Sequence, residues 1–254
     1  MVARLIYRRQ RGRGGVEVEY LGPLALAAAS LYDPPGLSPR RLARRAARLE
    51  RTLARMGVGR VVFPQGFPHG GLFPRLRPVD PLTVYRGAAE VLALAGLERL
   101  EVEPRQGRVA LAGAWLCPEL RQAAWRLAPQ VRGLLIRVPG EEGGALARQL
   151  HREYGLPAAP PSGGADVELA FSPGGAGESR LSLALYGAQP RLAGLALRAR
   201  GMELPERWAD GLLSLLWEQG AVRREELYAV SDGISCPTPP APPVSHSHHR
   251  HKTP

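Results

Sequence analysis

The stretch that most constrains the fold runs from Gly107 to Ser172, where short apolar runs alternate with amphipathic segments. Arg108 to Gly113 predicts a strand, and Pro118 to about Ala128 a helix. Gly133 to Val138 predicts a second strand, a helix follows from about Glu142 to Tyr154, and Ala165 to Phe171 predicts a third strand. Strands separated by helices of this length pair in parallel. Their crossovers are right-handed, because only that hand packs the helix back onto a right-twisted sheet.

The pattern resembles a Rossmann-like half-sheet, a resemblance of fold alone that says little about activity. A dinucleotide site needs three glycines in its first strand-to-helix turn, for the tight turn, the approach of the pyrophosphate and helix packing. Here the turn is Gly113-Ala114-Trp115-Leu116-Cys117-Pro118, with one glycine, and Trp115 is expected to fill the space of the phosphates. The fold class is therefore α/β, a degenerate Rossmann-like three-layer half-sheet. Ligands of such sheets bind beyond the carboxyl ends of the strands. That rule nominates Gly113, Gly140, Glu141, Glu142, Gly143 and Gly144 as cofactor-binding candidates. The glycines permit close backbone approach, and the helix that follows offers an N-terminus favourable to anions. Glu141 and Glu142 either receive ribose hydroxyls or complement the helix dipole. No titratable pair converges in the sequence, so no catalytic residue is named, and no metal or cofactor is expected.

Composition closes several classes of chemistry. The chain has 254 residues and a formal charge of +11, yet of its 34 basic residues only Lys252 is lysine. A P-loop, a Schiff-base site and a kinase each need a well-placed lysine, and Lys252 lies in a tail. An arginine-only basic set, with 30 Gly and 25 Pro, reads as the imprint of a GC-rich bacterial genome. Cys117 and Cys236 are too far apart for a redox pair or a zinc knuckle, and two thiols suit the cytoplasm. No run reaches the roughly 20 apolar residues of a membrane span. Leu21 to Ala29 resembles a short secretory apolar segment, but Glu17 and Glu19 interrupt that reading.

The basic excess is uneven: residues 1–104 hold 17 Arg against 9 acids, and the rest 17 Arg and Lys against 14. Residues 3–20 predict a hairpin turning at Gly12 to Gly15. Ser38, Pro39 and Gly57 then bracket the clearest helix in the chain. Leu42, Ala46, Leu49, Leu53 and Met56 share its narrow apolar face, with Arg40, Arg41, Arg44, Arg45, Arg48, Arg51 and Arg55 opposite. Either this is an ordinary solvated face, or Arg41, Arg44, Arg48, Arg51 and Arg55 form a nucleic-acid or partner surface. Val61 to Pro64 predicts a strand feeding a loop with His69-Gly70-Gly71. His-Gly-Gly after a strand resembles a lipase oxyanion loop, but no G-x-S-x-G elbow exists, so His69 reads as incidental.

Asp80-Pro81 opens a helix to about Ala95, apolar all round, which predicts burial between the two halves. Ser179 to Tyr186 and Leu192 to Arg198 predict antiparallel additions to the sheet edge, and Pro205 to about Gln219 a last helix. Five prolines from Pro237 to Pro243 and four histidines from His246 to His251 predict a disordered tail. The organisation expected is a smaller α+β unit over residues 1–104, a Rossmann-like domain over 105–231 and a tail over 232–254. Three functions follow. The leading one is a cytoplasmic, non-catalytic protein binding a small anionic ligand or a protein partner. The second is an NAD(P)- or nucleotide-dependent oxidoreductase-like enzyme with a divergent loop. The third is a polyanion binder using the Arg40–Arg55 face.

Overall fold

The N-terminal strands find their partners through a turn that the apolar pattern conceals. In a computed structural model describing residues 1–156, 163–174, 177–188 and 190–231, Gly22 adopts φ +56 and Pro23 follows it. A glycine at φ > 0 opens a two-residue hairpin turn. It folds β2 (Gly15–Leu21) antiparallel onto β3 (Leu24–Tyr32), from Leu21↔Leu24 to Gly15↔Ser30. The segment that resembled a secretory run is thus a central strand. β1 (Val2–Arg8) does not form the expected hairpin with β2. It lies on the far side of β3, parallel to it from Val2↔Leu26 to Arg8↔Tyr32. This placement flanks β1 by strands on both sides and buries Ala3 and Leu5 completely, which a hairpin edge would not.

Helix α1 (Pro39–Arg55) links β3 to β4 (Arg60–Val62), which pairs parallel with the other side of β1. With β5 (Arg77–Pro78) the sheet order is β2-β3-β1-β4-β5. Leu42, Ala46, Leu49 and Leu53 of α1 pack on Ala3, Leu5, Ala27 and Ala29, as the periodicity predicts. Gly57, at φ +71, ends the helix, and the Val58 N–H donates to the Leu53 carbonyl at 3.0 Å. The opposite face of the sheet presents Leu26, Val62 and Val79 to Leu212 and Leu215 of α6 (Ala209–Glu218).

Downstream, β6 (Arg108–Ala112), α4 (Pro118–Leu127), β7 (Gly133–Arg137), α5 (Glu141–Tyr154) and β8 (Ala165–Ala170) occupy the expected segments. The second sheet runs β7-β6-β8-β9 and is parallel throughout. β9 (Ser179–Ala184) is therefore not an antiparallel addition but a parallel neighbour of β8. A buried ion pair holds Gly177 and Glu178, the residues that lead into β9. Arg137 of β7 and Glu168 of β8 meet over β6, where the register places Ala112 beside Arg137 and Ala110 beside Glu168. Two alanines leave the space the pair fills. Glu168 also accepts the Gly177 N–H at 3.0 Å, and Arg137 donates to the carbonyls of Gly163 and Glu178 at 2.6 and 3.2 Å. β10 (Leu195–Ala199) and β11 (Leu227–Ser231) form a separate antiparallel ribbon. The chain is a mixed α/β protein with parallel-rich sheets and flanking helices, as the Rossmann-like pattern implies.

The apolar helix after Asp80 is interrupted. α2 (Leu82–Gly87) and α3 (Ala89–Arg99) meet at Ala88, whose φ of −104° and ψ of 21° leave the helical region. Asp80 caps the start, accepting the Leu82 N–H at 2.9 Å. Gly96 is no terminator. It lies inside α3, where an added Cβ would stand 3.1 Å from Val167, so its bareness lets the helix sit close on β8. The buried residues of α3 join the second sheet's core. The helix that touches both cores is α6: Leu212 and Leu215 face the first sheet, while Leu213 and Leu216 belong to the second cluster. Among the described residues no helix is long and apolar enough to cross a membrane. The tail from residue 232, with Cys236, lies outside them.

Candidate functional site

Three parallel strands, β3, β1 and β4, end at one edge of the first sheet, and the chain leaves β1 toward one side and returns on the other. Such a reversal of strand order opens a crevice at the carboxyl ends. A cleft of about 580 Å³ lies there. Tyr7 and Arg9 reach it from the end of β1, Asp33 from the residue after β3, and Pro64 to His69 from the loop after β4. Arg207 and Trp208, just before α6, close the remaining side. The Gln65 N–H donates to the Arg207 carbonyl at 2.6 Å, and the Trp208 indole N–H donates to the Leu5 carbonyl at 2.7 Å. Arg4 lies over the Trp208 ring at 5.0 Å. These contacts tie the wall from α6 to the strand ends. Phe67 stacks on Phe63 with centroids 5.2 Å apart, and its edge-on contact with Tyr7 gives the cleft an aromatic floor.

A polar cluster stands on that floor. The Tyr7 hydroxyl donates to Asp33 Oδ2 at 2.6 Å. His69 Nε2 lies 3.5 Å from the Tyr7 hydroxyl and 3.9 Å from Asp33 Oδ2. Burial first, and the Asp33 carboxylate second, hold the Tyr7 phenol above its ordinary value, with Arg9 opposing. The phenol therefore stays protonated and serves as a donor. The Arg9 and Arg207 side chains are exposed and make no ion pair or hydrogen bond among the described residues. The cleft thus holds two unpaired guanidiniums against one carboxylate, itself already bonded to Tyr7.

The residues nominated from the second sheet are arranged differently. Gly113 is buried at the end of β6, its N–H donating to the Arg137 carbonyl at 3.1 Å, and the next N–H, of Ala114, donates to Ser172 Oγ at 2.6 Å. Gly140 adopts φ +83 before α5, a conformation that favours glycine. Glu141 and Glu142 are exposed in the first turn of α5, two carboxylates where an anion would otherwise dock. Gly143 packs onto β7, where an added Cβ would meet the Val138 carbonyl oxygen at 2.3 Å; Gly144 lies beside Arg148. Trp115 does not plug this edge. It is 64% exposed, so the expected stopper stands in solvent. We predict that Trp115→Ala changes the urea-unfolding free energy by less than about 0.5 kcal/mol. A ring filling the crevice would cost about 3–5 kcal/mol on removal. Burial holds the nearby Cys117 thiol above its ordinary value, so it is a poor nucleophile.

The arginine helix keeps its predicted face. Arg41, Arg44, Arg48, Arg51 and Arg55 are all exposed, as are Arg40 and Arg45. Glu50 turns inward and accepts the Arg75 N–H at 2.8 Å, so it neutralises none of them.

Tyr7, Asp33, His69 and Arg207 were not nominated from the sequence. Only Asp33 carries a local signal, since a polar residue directly after the end of a parallel strand lines the binding edge. Reading it needed the pairing of β1 with β3. Among the described residues no group of three or more His, Cys, Asp or Glu could hold a metal ion. No family model matches the chain, and no curated protein matches it.

Proposed function

We propose that the protein binds a small anionic ligand in the cleft of the first sheet. The observation that carries this reading is the pair of unpaired guanidiniums, Arg9 and Arg207, that line one cleft together with Tyr7 and His69. Guanidinium groups offer forked donors that match the oxygens of phosphates and carboxylates. The aromatic rings of Phe67 and Trp208 in the cleft lining suit an anion carrying a flat or apolar body.

A second site, for a nucleotide at the carboxyl edge of β6 and β7, gains from the solvent-facing Trp115. It loses more from Glu141 and Glu142, which place like charge where phosphates would lie. A cytoplasmic location belongs to the same proposal, supported by the free thiol of Cys117.

Titration with sodium pyrophosphate, followed by thermal unfolding and calorimetry, tests the reading. At a hundred times its Kd a ligand adds about 2.7 kcal/mol to stability, a rise of several degrees in a domain of this size. The double variant Arg9→Glu with Arg207→Glu should abolish the rise. An unchanged midpoint for the wild-type protein with pyrophosphate, phosphate and citrate would remove the proposal.

A further inference from the structure

Tyr32 joins two basic features that lie apart in the sequence. The Arg8 guanidinium stands over its ring at 5.9 Å, and Arg45 of α1 donates to its carbonyl at 2.8 Å. The loop that follows Arg8 lies against the same ring, so closely that a Cβ on Gly12 would fall 2.2 Å from it. Arg11 and Arg13 of that loop are exposed, and Arg9 lines the cleft. One cationic surface therefore runs from α1 across Tyr32 and down into the anion cleft.

This surface is more than the arginine content of the chain. Helix α5 sets Arg148 and Arg152 against Glu141, Glu142 and Glu153, a mixed face. Helix α1 has seven exposed arginines along 17 residues, about 25 Å of axis, and its one acid is buried. The acids of neighbouring β2 also point away. Val16 packs with the α1 side of the sheet, so strict alternation sends Glu17 and Glu19 to the other face, where Glu19 pairs with Arg4. The same alternation places Val18 and Tyr20 on the face of the sheet that α1 covers, and Tyr20 is 77% exposed. An exposed aromatic ring on the same face as a row of cations matches the way single strands are bound. Their phosphates follow the charge while their bases stack on rings. A duplex or an acidic peptide would leave Tyr20 unused.

We propose that the α1 ridge and Tyr20 bind single-stranded nucleic acid, and that the strand's terminal phosphate is the anion seated in the cleft. The second clause rests on the proposed anion site; the first does not.

The test is fluorescence anisotropy of the full chain with a 3′-labelled twelve-nucleotide oligo-U, carrying either a 5′-phosphate or a 5′-hydroxyl. The triple variant Arg44→Gln, Arg48→Gln, Arg51→Gln should bind at least about tenfold more weakly. Its log–log salt dependence should be shallower by about 2, since each lost phosphate contact on a single strand contributes about 0.7. Tyr20→Ala should weaken binding at least about fivefold, the low end of one lost base stack. Pyrophosphate affinity should survive both changes. Arg9→Glu with Arg207→Glu should erase the preference for the 5′-phosphate. Unchanged oligonucleotide binding by the triple variant overturns the ridge, even where pyrophosphate still binds. A silent Tyr20→Ala, with duplex bound as well as single strand, reduces the surface to a general polyanion patch and overturns the assignment. Equal affinity for the two 5′ ends, in a protein that binds pyrophosphate, overturns the seating of the terminus alone.

Discussion

Glu168→Ala should destabilise the protein by about 3–5 kcal/mol, because it leaves the buried Arg137 guanidinium without its counter-charge. Both side chains are almost wholly inside, and a lone buried charge is far costlier than a lone buried dipole. Carbonyls of Gly163 and Glu178 would still accept from Arg137, but they carry only partial charge. The loss would also release the Gly177 N–H, which Glu168 now holds two residues before β9. Glu168 Oε1 has no hydrogen-bond partner among the described residues, so the pair is imperfectly satisfied even when intact. A double replacement, Arg137→Leu with Glu168→Leu, should therefore recover most of the loss, since a buried ion pair often contributes no more than apolar residues of similar volume. Urea unfolding of the two variants beside the wild type decides this. A loss under about 1 kcal/mol in Glu168→Ala would mean that water reaches the pair.

Leu212→Ala should cost about 2–5 kcal/mol and weaken both halves of the molecule at once. Leu212 is almost fully buried against Leu26, Val62 and Val79, while its helix neighbours Leu213 and Leu216 sit in the second core. The packing is close: an added Cβ on Gly211 would meet Val62 at 2.6 Å. Two further links cross the same boundary, the Ser214 hydroxyl to the Asp80 carbonyl at 2.7 Å and the Arg60–Glu218 ion pair at 2.6 Å. The exposed ion pair adds little, so the leucines dominate. Amide exchange reads the outcome directly. Protection in β1 and β8 should fall by the same free energy in Leu212→Ala. A fall confined to β1 would show that the first sheet opens alone.

The success and failure of sequence reading divide along a physical line. The α1 helix was legible because its 3.6-residue period, its proline start and Gly57 are all local. β6, α4, β7, α5 and β8 were legible for the same reason, with glycines and prolines marking their ends. Missing β3 had the largest consequence. Its apolar residues, Leu24 to Leu31, look alike whether they enter a sheet or a secretory segment, and the Gly22-Pro23 turn was the one clue against the second. Without β3, β1 could only be paired with β2, and the crevice at the strand ends had no walls. β9 is concealed in the same way: a short link after β8 reads as a hairpin, whereas the pairing of the two strands is parallel.

What the chain's own letters determined is its locally coded helices and strands. A run of alternating short strands and helices leaves few folds other than a parallel α/β sheet. Tertiary structure alone decided which strands are neighbours, which helix joins the two cores, and that Tyr7, Asp33, His69 and Arg207 share one cleft. Strand partners are chosen by the burial of whole faces, and a side chain's neighbours by the sheet order that results. Neither quantity is carried by any window of residues short enough to read in line.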